Sequence, residues 1–122
     1  MNSALNQKST ADLVKIFAEY SAQQYDHMLI AEVKQVNRYY HMLKAIELEL
    51  KSRIGDQRRA LVLLYDNPNP NVRVKAAKAT LAIAPAAARQ VLEVVAETCY
   101  GPEKLEAGMS LTNLDRGIYQ PT

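Results

Sequence analysis

A chain of 122 residues is enough for one domain with a core of its own and too short for two. Apolar residues make up 48% and charged residues 23%, with only four glycines and five prolines, which excludes a disordered chain. A formal net charge of +2 excludes a strongly basic protein, and one cysteine, Cys99, excludes an internal disulfide.

Strong helix formers dominate and alternating β-branched runs are absent, so the expected class is all-α. Residues 1–10 hold one basic residue, Lys8, and no apolar run of the length a signal peptide or spanning helix needs. The expectation is a soluble cytoplasmic protein with no membrane contact, consistent with a single free thiol.

The first helix is expected to start at Ser9 or Thr10, where a hydroxyl caps free backbone donors, and to bury Leu13, Ile16, Phe17 and Tyr20. It should end near Gln24, with residues 1–9 frayed. Residues 25–34 read either as a kinked continuation or as a separate short turn, because Asp26, His27 and Glu32 interrupt Met28-Leu29-Ile30. From about Val33 the stripe Val36, Tyr40, Leu43, Ile46 or Glu47, Leu50 and Ile54 predicts the longest helix, stopped by Gly55. Asp56 is expected to cap the next helix, which carries Ala60, Leu61, Leu63 and Leu64.

The segment Asp66-Asn67-Pro68-Asn69-Pro70 stops that helix and restarts another. Its successor is apolar on two faces: Val72, Ala76, Ala79, Thr80 and Ile83 on one, Val74, Ala77, Leu81 and Ala84 on the other. Such a helix is sandwiched between neighbours. Pro85 starts a helix with the stripe Ala88, Val91, Leu92, Val95 and Cys99. Gly101-Pro102 starts a last one with Leu105, Met109 and Leu111 or Thr112, ended by Gly117, and residues 120–122 are expected to fray.

The prediction is therefore a single compact domain over 1–122, an αα superhelix of five to six helices. Two hairpins span 57–116, and helices within 10–54 cap the stack.

Arg59-Ala60-Leu61 through Leu81, with Pro70, Val72, Arg73, Ala76 and Ala77, resembles a HEAT or armadillo repeat. Asn67 and Asn69 stand in the turn where that family often carries Asp. Residues from about 10 to 119 also resemble a small bacterial family catalogued as a domain of unknown function, number two thousand and nineteen of its series. The resemblance is carried by Asn37-Arg38, Glu49-Leu50-Lys51-Ser52-Arg53, Arg58-Arg59-Ala60-Leu61, Asn67-Pro68-Asn69, Val72-Arg73 and Leu81-Ala82-Ile83-Ala84-Pro85. It implies a HEAT-like fold in a bacterial protein and brings no catalytic residue.

Chemistry is sparse. His27 and His41 lack carboxylates at ligand-like spacing, the four glycines are isolated, and the pairs Glu93/Glu97 and Glu103/Glu106 read as solvated helix faces. No metal, cofactor or catalytic residue is expected, and the chain reads as a non-enzyme.

Charge is uneven along the chain. Residues 51–78 hold seven basic side chains, among them Arg58, Arg59, Lys75 and Lys78, against Asp56 and Asp66. Tyr39-Tyr40-His41-Met42 cannot all face inward, since neighbours on a helix point about 100° apart. Tyr25, Arg38, Tyr39, His41, Arg58, Arg59, Lys75 and Lys78 are therefore the candidate contact residues for a protein partner. The expected function is an interaction module that binds or neutralises one protein, as adaptors and immunity proteins do. The alternative is a weak nucleic-acid binder using 51–78, and a small enzyme is the least favoured reading.

Overall fold

The computed structural model describes residues 2–122, with side chains from Leu5 onward. Among the described residues there are helices and no strand. Five α-helices run in order: α1 Thr10–Leu29, α2 Val33–Ser52, α3 Pro70–Thr80, α4 Pro85–Thr98 and α5 Pro102–Asp115. Two 3-10 helices, Asn2–Gln7 and Gln57–Leu64, complete the chain. Its contacts divide it into two compact units, Met1–Ala60 and Leu61–Thr122.

In the first unit, α1 packs along α2. Ser9 caps α1 by accepting the Asp12 backbone N–H at 3.0 Å. Leu13, Val14 and Phe17 are buried from α1, and Leu43, Ile46 and Leu50 from α2. The buried amide of Gln24 donates to the Val36 carbonyl at 3.1 Å, tying the two helices by a polar bond inside the packing.

Helix α1 runs five residues past the expected stop at Gln24. The break comes at Ala31, which adopts a left-handed φ of +56°, while the Glu32 backbone N–H closes on the His27 carbonyl at 3.0 Å. A glycine usually fills that position. Here the His27 Nδ1 and Glu32 Oε1 atoms, 2.5 Å apart, bridge the same turn.

The stripe on α2 also differs from expectation. Residues 39, 43, 46 and 50 face inward together, so Tyr39 is half-buried and Tyr40 is 50% exposed, the reverse of the predicted pair. Tyr39 lies four residues before Leu43 and Tyr40 three, both helical spacings, and packing against α1 decides the register. The helix ends at Ser52, and Ile54, expected on the stripe, lies in solvent.

Residues 5–9, expected to fray, are tied down by Arg53. Its guanidinium donates to the Leu5 carbonyl at 3.0 Å, the Lys8 carbonyl at 2.7 Å and Thr10 Oγ1 at 3.2 Å, and to Glu49 Oε2 at 2.9 Å. The segment after Gly55 is a 3-10 helix where an α-helix was expected. Gly55 and Asp56 both take positive φ, and the Asp66-to-Pro70 stop leaves too few residues to offset the cost of a new α-helical nucleus.

In the second unit, α4 packs on both α3 and α5, and α3 also touches α5. Asn69 caps α3 by accepting the N–H groups of Asn71 and Val72, and Pro70 takes the first position, where no N–H is needed. Val72, Val74, Ala76, Ala77, Ala79 and Thr80 are all buried, as the two-faced pattern predicted. Val74, Ala77 and Leu81 join Ala88, Leu92, Val95 and Ala107 in one core. Thr80 donates back to the Ala76 carbonyl at 2.8 Å and meets the half-buried Tyr65 hydroxyl at 2.5 Å.

On α5 the apolar face is misread by its spacing. Ala107 is buried with Leu111 and Leu114 packed beside it, whereas Leu105 and Met109 face outward.

Because Ala77 is sealed among branched side chains, Ala77→Leu should destabilise the protein by about 1–3 kcal/mol through overpacking. The exposed Ala86→Leu should change stability by less than about 0.5 kcal/mol. Urea unfolding of the two variants against wild type measures the contrast.

Candidate functional site

Unit one carries an aromatic cluster between α1 and α2. The Tyr39 ring sits 5.9 Å from Tyr20 and 5.7 Å from His27, nearly parallel to the latter, and its hydroxyl donates to Gln23 Oε1 at 2.9 Å. Arg38 lies 5.9 Å from the centre of the same ring and also reaches Gln35. His41, exposed, meets the edge of the Tyr40 ring at 5.3 Å, and Tyr25 is half-buried. Sequence reasoning missed Tyr20, His27 and Gln23 as members of this cluster; the nineteen- and twelve-residue separations of Tyr20 and His27 from Tyr39 become contacts only once the α1–α2 turn is known.

The end of the same hairpin is apolar. Leu29, Ile30 and Val33 are 56%, 66% and 66% exposed, three large aliphatic side chains within five residues at one turn. Their solvation by water is unfavourable, and a monomer gains nothing from grouping them. The sequence signal is Met28-Leu29-Ile30, which the interruptions at Asp26, His27 and Glu32 place in a kink or a short turn.

The basic segment does not present its charges as a free patch. Arg58 is only 4% exposed and forms a two-point bond with Asp56, Nε to Oδ1 at 2.9 Å and Nη2 to Oδ2 at 2.7 Å. Those bonds hold the Asp56 carboxyl below its ordinary range against a smaller opposing effect of burial. Arg58, expected as a contact residue, is thus buried and bonded to Asp56, and Arg59 is exposed.

Lys75 and Lys78, both on α3, converge on Glu106 of α5, at 2.5 Å and 3.1 Å. Burial pushes the Lys75 ammonium down, and Glu106 offsets only part of that. Burial alone would raise the Glu106 carboxyl, but the charges and hydrogen bonds of the two lysines together outweigh it and hold the group low. Lys75, expected as a contact residue, is therefore a bridge between α3 and α5. Lys78 shares the carboxylate while keeping part of its side chain in water. Glu106, expected to be solvated, is the acid that neutralises them.

Several further chemistry-bearing groups of the second unit are engaged as well. Arg89 of α4 grips Asp115 at 2.9 and 3.3 Å and Glu93 at 3.1 Å, Glu103 accepts the Gly101 N–H, and Cys99 Sγ lies 4.0 Å from Arg73 Nη2. Among the described residues, no three His, Cys, Asp or Glu side chains gather as a metal site would require. An open groove of about 520 Å³ runs over α5 and is lined by Leu105, Gly108, Met109, Ala96, Lys104 and Thr112. Among the described residues, no helix is long and apolar enough to cross a membrane.

The model of a family described as a domain of unknown function, DUF2019, matches residues 11–115. No curated protein matches the chain. Among solved structures, the crystal structure of the protein RPA1889 from Rhodopseudomonas palustris CGA009 is similar at 42% identity with a TM-score of 0.92, covering 97% of this chain and 98% of that one.

Removing the Glu106 charge should expose the cost of burying Lys75. Glu106→Gln is expected to lose about 2–3 kcal/mol at neutral pH. Because the folded carboxyl lies below its ordinary 4.5, its stabilisation is complete above that value and is lost as pH falls through the lower folded value. The stability of the wild type should therefore drop more steeply than that of Glu106→Gln between about pH 5 and pH 3, read by chemical denaturation at a series of pH values.

Proposed function

Since the chain belongs to the DUF2019 family, whose description assigns no activity, we propose from its surface that it is a protein-interaction module that binds a single protein partner. The observation that carries this reading is the apolar end of the α1–α2 hairpin, Leu29, Ile30 and Val33, with the Tyr20–His27–Tyr39 cluster beside it on the same two helices. Covering the three aliphatic side chains would contribute on the order of 3 kcal/mol, and the adjoining rings are the residue types that interfaces concentrate. Adaptor or immunity-like neutralisation of one protein is the role such a surface serves.

The α3–α5 unit is the HEAT-like part of this reading. Its support is the proline-started α3, small-sided and buried all round, packed on α4. The single free cysteine fits a reducing bacterial cytoplasm, and the reading requires no cofactor and no catalytic step. Nucleic-acid binding through 51–78 is less favoured, because Arg53, Arg58, Lys75 and Lys78 are already bonded within the fold.

Ile30 is exposed, so Ile30→Asp should leave the fold intact. With the chain immobilised as bait in a host lysate treated with nuclease, wild type should retain a protein in near-stoichiometric amount. Ile30→Asp should retain at least about tenfold less. Equal retention by the two baits, or loss of all retention on nuclease treatment, overturns the reading.

A further inference from the structure

Helix α2 has an outward face that the packing of the hairpin does not use. At 100° per residue, positions 37, 40, 44, 48 and 51 fall along one line, spaced by three, four, four and three residues. They are Asn37, Tyr40, Lys44, Leu48 and Lys51, and all are exposed, Tyr40 at 50% and Leu48 at 56%. His41 and Lys34 flank the line and are exposed too. The buried face, with Leu43, Ile46 and Leu50, lies on the opposite side of the helix.

The charged residues on the line, Lys44 and Lys51, are both cations. The carboxylates beside it are engaged elsewhere or at its edge: Glu47 is half-buried and loosely paired with Lys44 at 3.6 Å, Glu49 is turned onto Arg53, and Asp56, which feels the Lys51 charge, is bonded to Arg58. No acidic residue stands on the line itself. Tyr40 and Leu48 alternate with Lys44 and Lys51, so a facing surface must be apolar and acidic at helical spacing to match both.

We propose that this face of α2 takes an acidic amphipathic helix of the partner protein, aliphatic side chains meeting Tyr40 and Leu48 while carboxylates pair with Lys44 and Lys51. The proposal rests on the interaction-module reading above and names the chemistry of its partner. Two copies of the chain meeting symmetrically through this face would set lysines against lysines, which disfavours self-pairing. A nucleic-acid backbone would satisfy the lysines but press Tyr40 and Leu48 against phosphates. The stretch from Tyr40 to Lys51 is ~16 Å long, three helical turns, so the contact is a small and transient one.

The probe is a fluorescent, synthetic 18-residue helical peptide with Leu at alternating three- and four-residue spacing and Glu on the flanks, titrated with the full chain. Controls are a shuffled peptide of the same composition, a peptide with Lys for every Glu, and a 20-nucleotide DNA in single- and double-stranded form. The acidic amphipathic peptide should bind at least tenfold more tightly than the shuffled one, and less tightly as salt is raised. Leu48→Asp and the double variant Lys44→Glu/Lys51→Glu should each weaken it by tenfold or more. That double variant should instead bind the lysine peptide, which shows that it is folded, while Ala86→Leu, at an exposed position of α4, should bind the acidic peptide as wild type does.

Equal binding of the shuffled peptide, absence of peptide binding, or tighter binding of either DNA overturns the proposal. If the peptide fails while Ile30-dependent capture of a protein persists, the partner chemistry is wrong and the interaction reading stands. If both fail, the interaction reading falls as well.

Discussion

Seven of the eleven residues of α3 are buried, so the helix cannot carry a conventional polar face. Where neighbours close in from more than one side, backbones approach closely only if the intervening side chains are small, and Ala76, Ala77 and Ala79 meet that requirement. The same crowding leaves little room for charge. Lys75 and Lys78 therefore extend along the helix to reach Glu106, which lets α3 keep two cations without leaving either uncompensated. The identity of α5 as a packing partner follows from this pairing as much as from Ala107, because the acid that neutralises α3 is carried there.

Elements whose boundaries are set by local covalent geometry were legible in the sequence. Pro70, Pro85 and Pro102 each sit at the first position of a helix, and the two-sided apolar pattern of α3 correctly implied burial all round. The α1–α2 turn was not legible, since its left-handed residue is Ala31 and its bridge is a His27–Glu32 side-chain pair. Neither carries the glycine or proline that marks a turn. Tyr39 and Tyr40 fit the same stripe equally well, and only packing against α1 separates them. On α5, Leu105 and Met109 are larger than Ala107 and so dominate any hydropathy reading, although the close approach of α4 favours the small residue inside.

Which cations are free to meet a partner was less legible than the fold, for a reason that lies in electrostatics. A basic stretch of sequence predicts a basic surface only when its charges lack internal partners. Arg53 is consumed by the carbonyls of Leu5 and Lys8, Arg58 by its own neighbour Asp56, and Lys75 by a residue thirty-one positions away. The first and last of these pairings are tertiary. No local pattern announces them, and so the segment with the most cations is not the one that offers them most freely to a partner.

What remains exposed is arranged differently from what composition suggested. Within residues 51–78, Arg53, Arg58 and Lys75 serve packing, whereas Lys34, Lys44 and Lys51 of α2 stand in solvent on the side of the helix that carries Tyr40 and Leu48. Solvated lysines alone are ordinary, and single exposed leucines are ordinary too. Their alternation along one helical line is less so, because it sets an apolar requirement and an acidic requirement at the same spacing. Joined through one short turn to the aliphatic cluster at Leu29, Ile30 and Val33, that line would give the proposed interaction module two distinct kinds of recognition, one driven by burial and one by charge. Burial supplies most of the affinity in such a pairing and charge supplies register and choice of partner, so a surface that carries both is suited to one protein in one orientation.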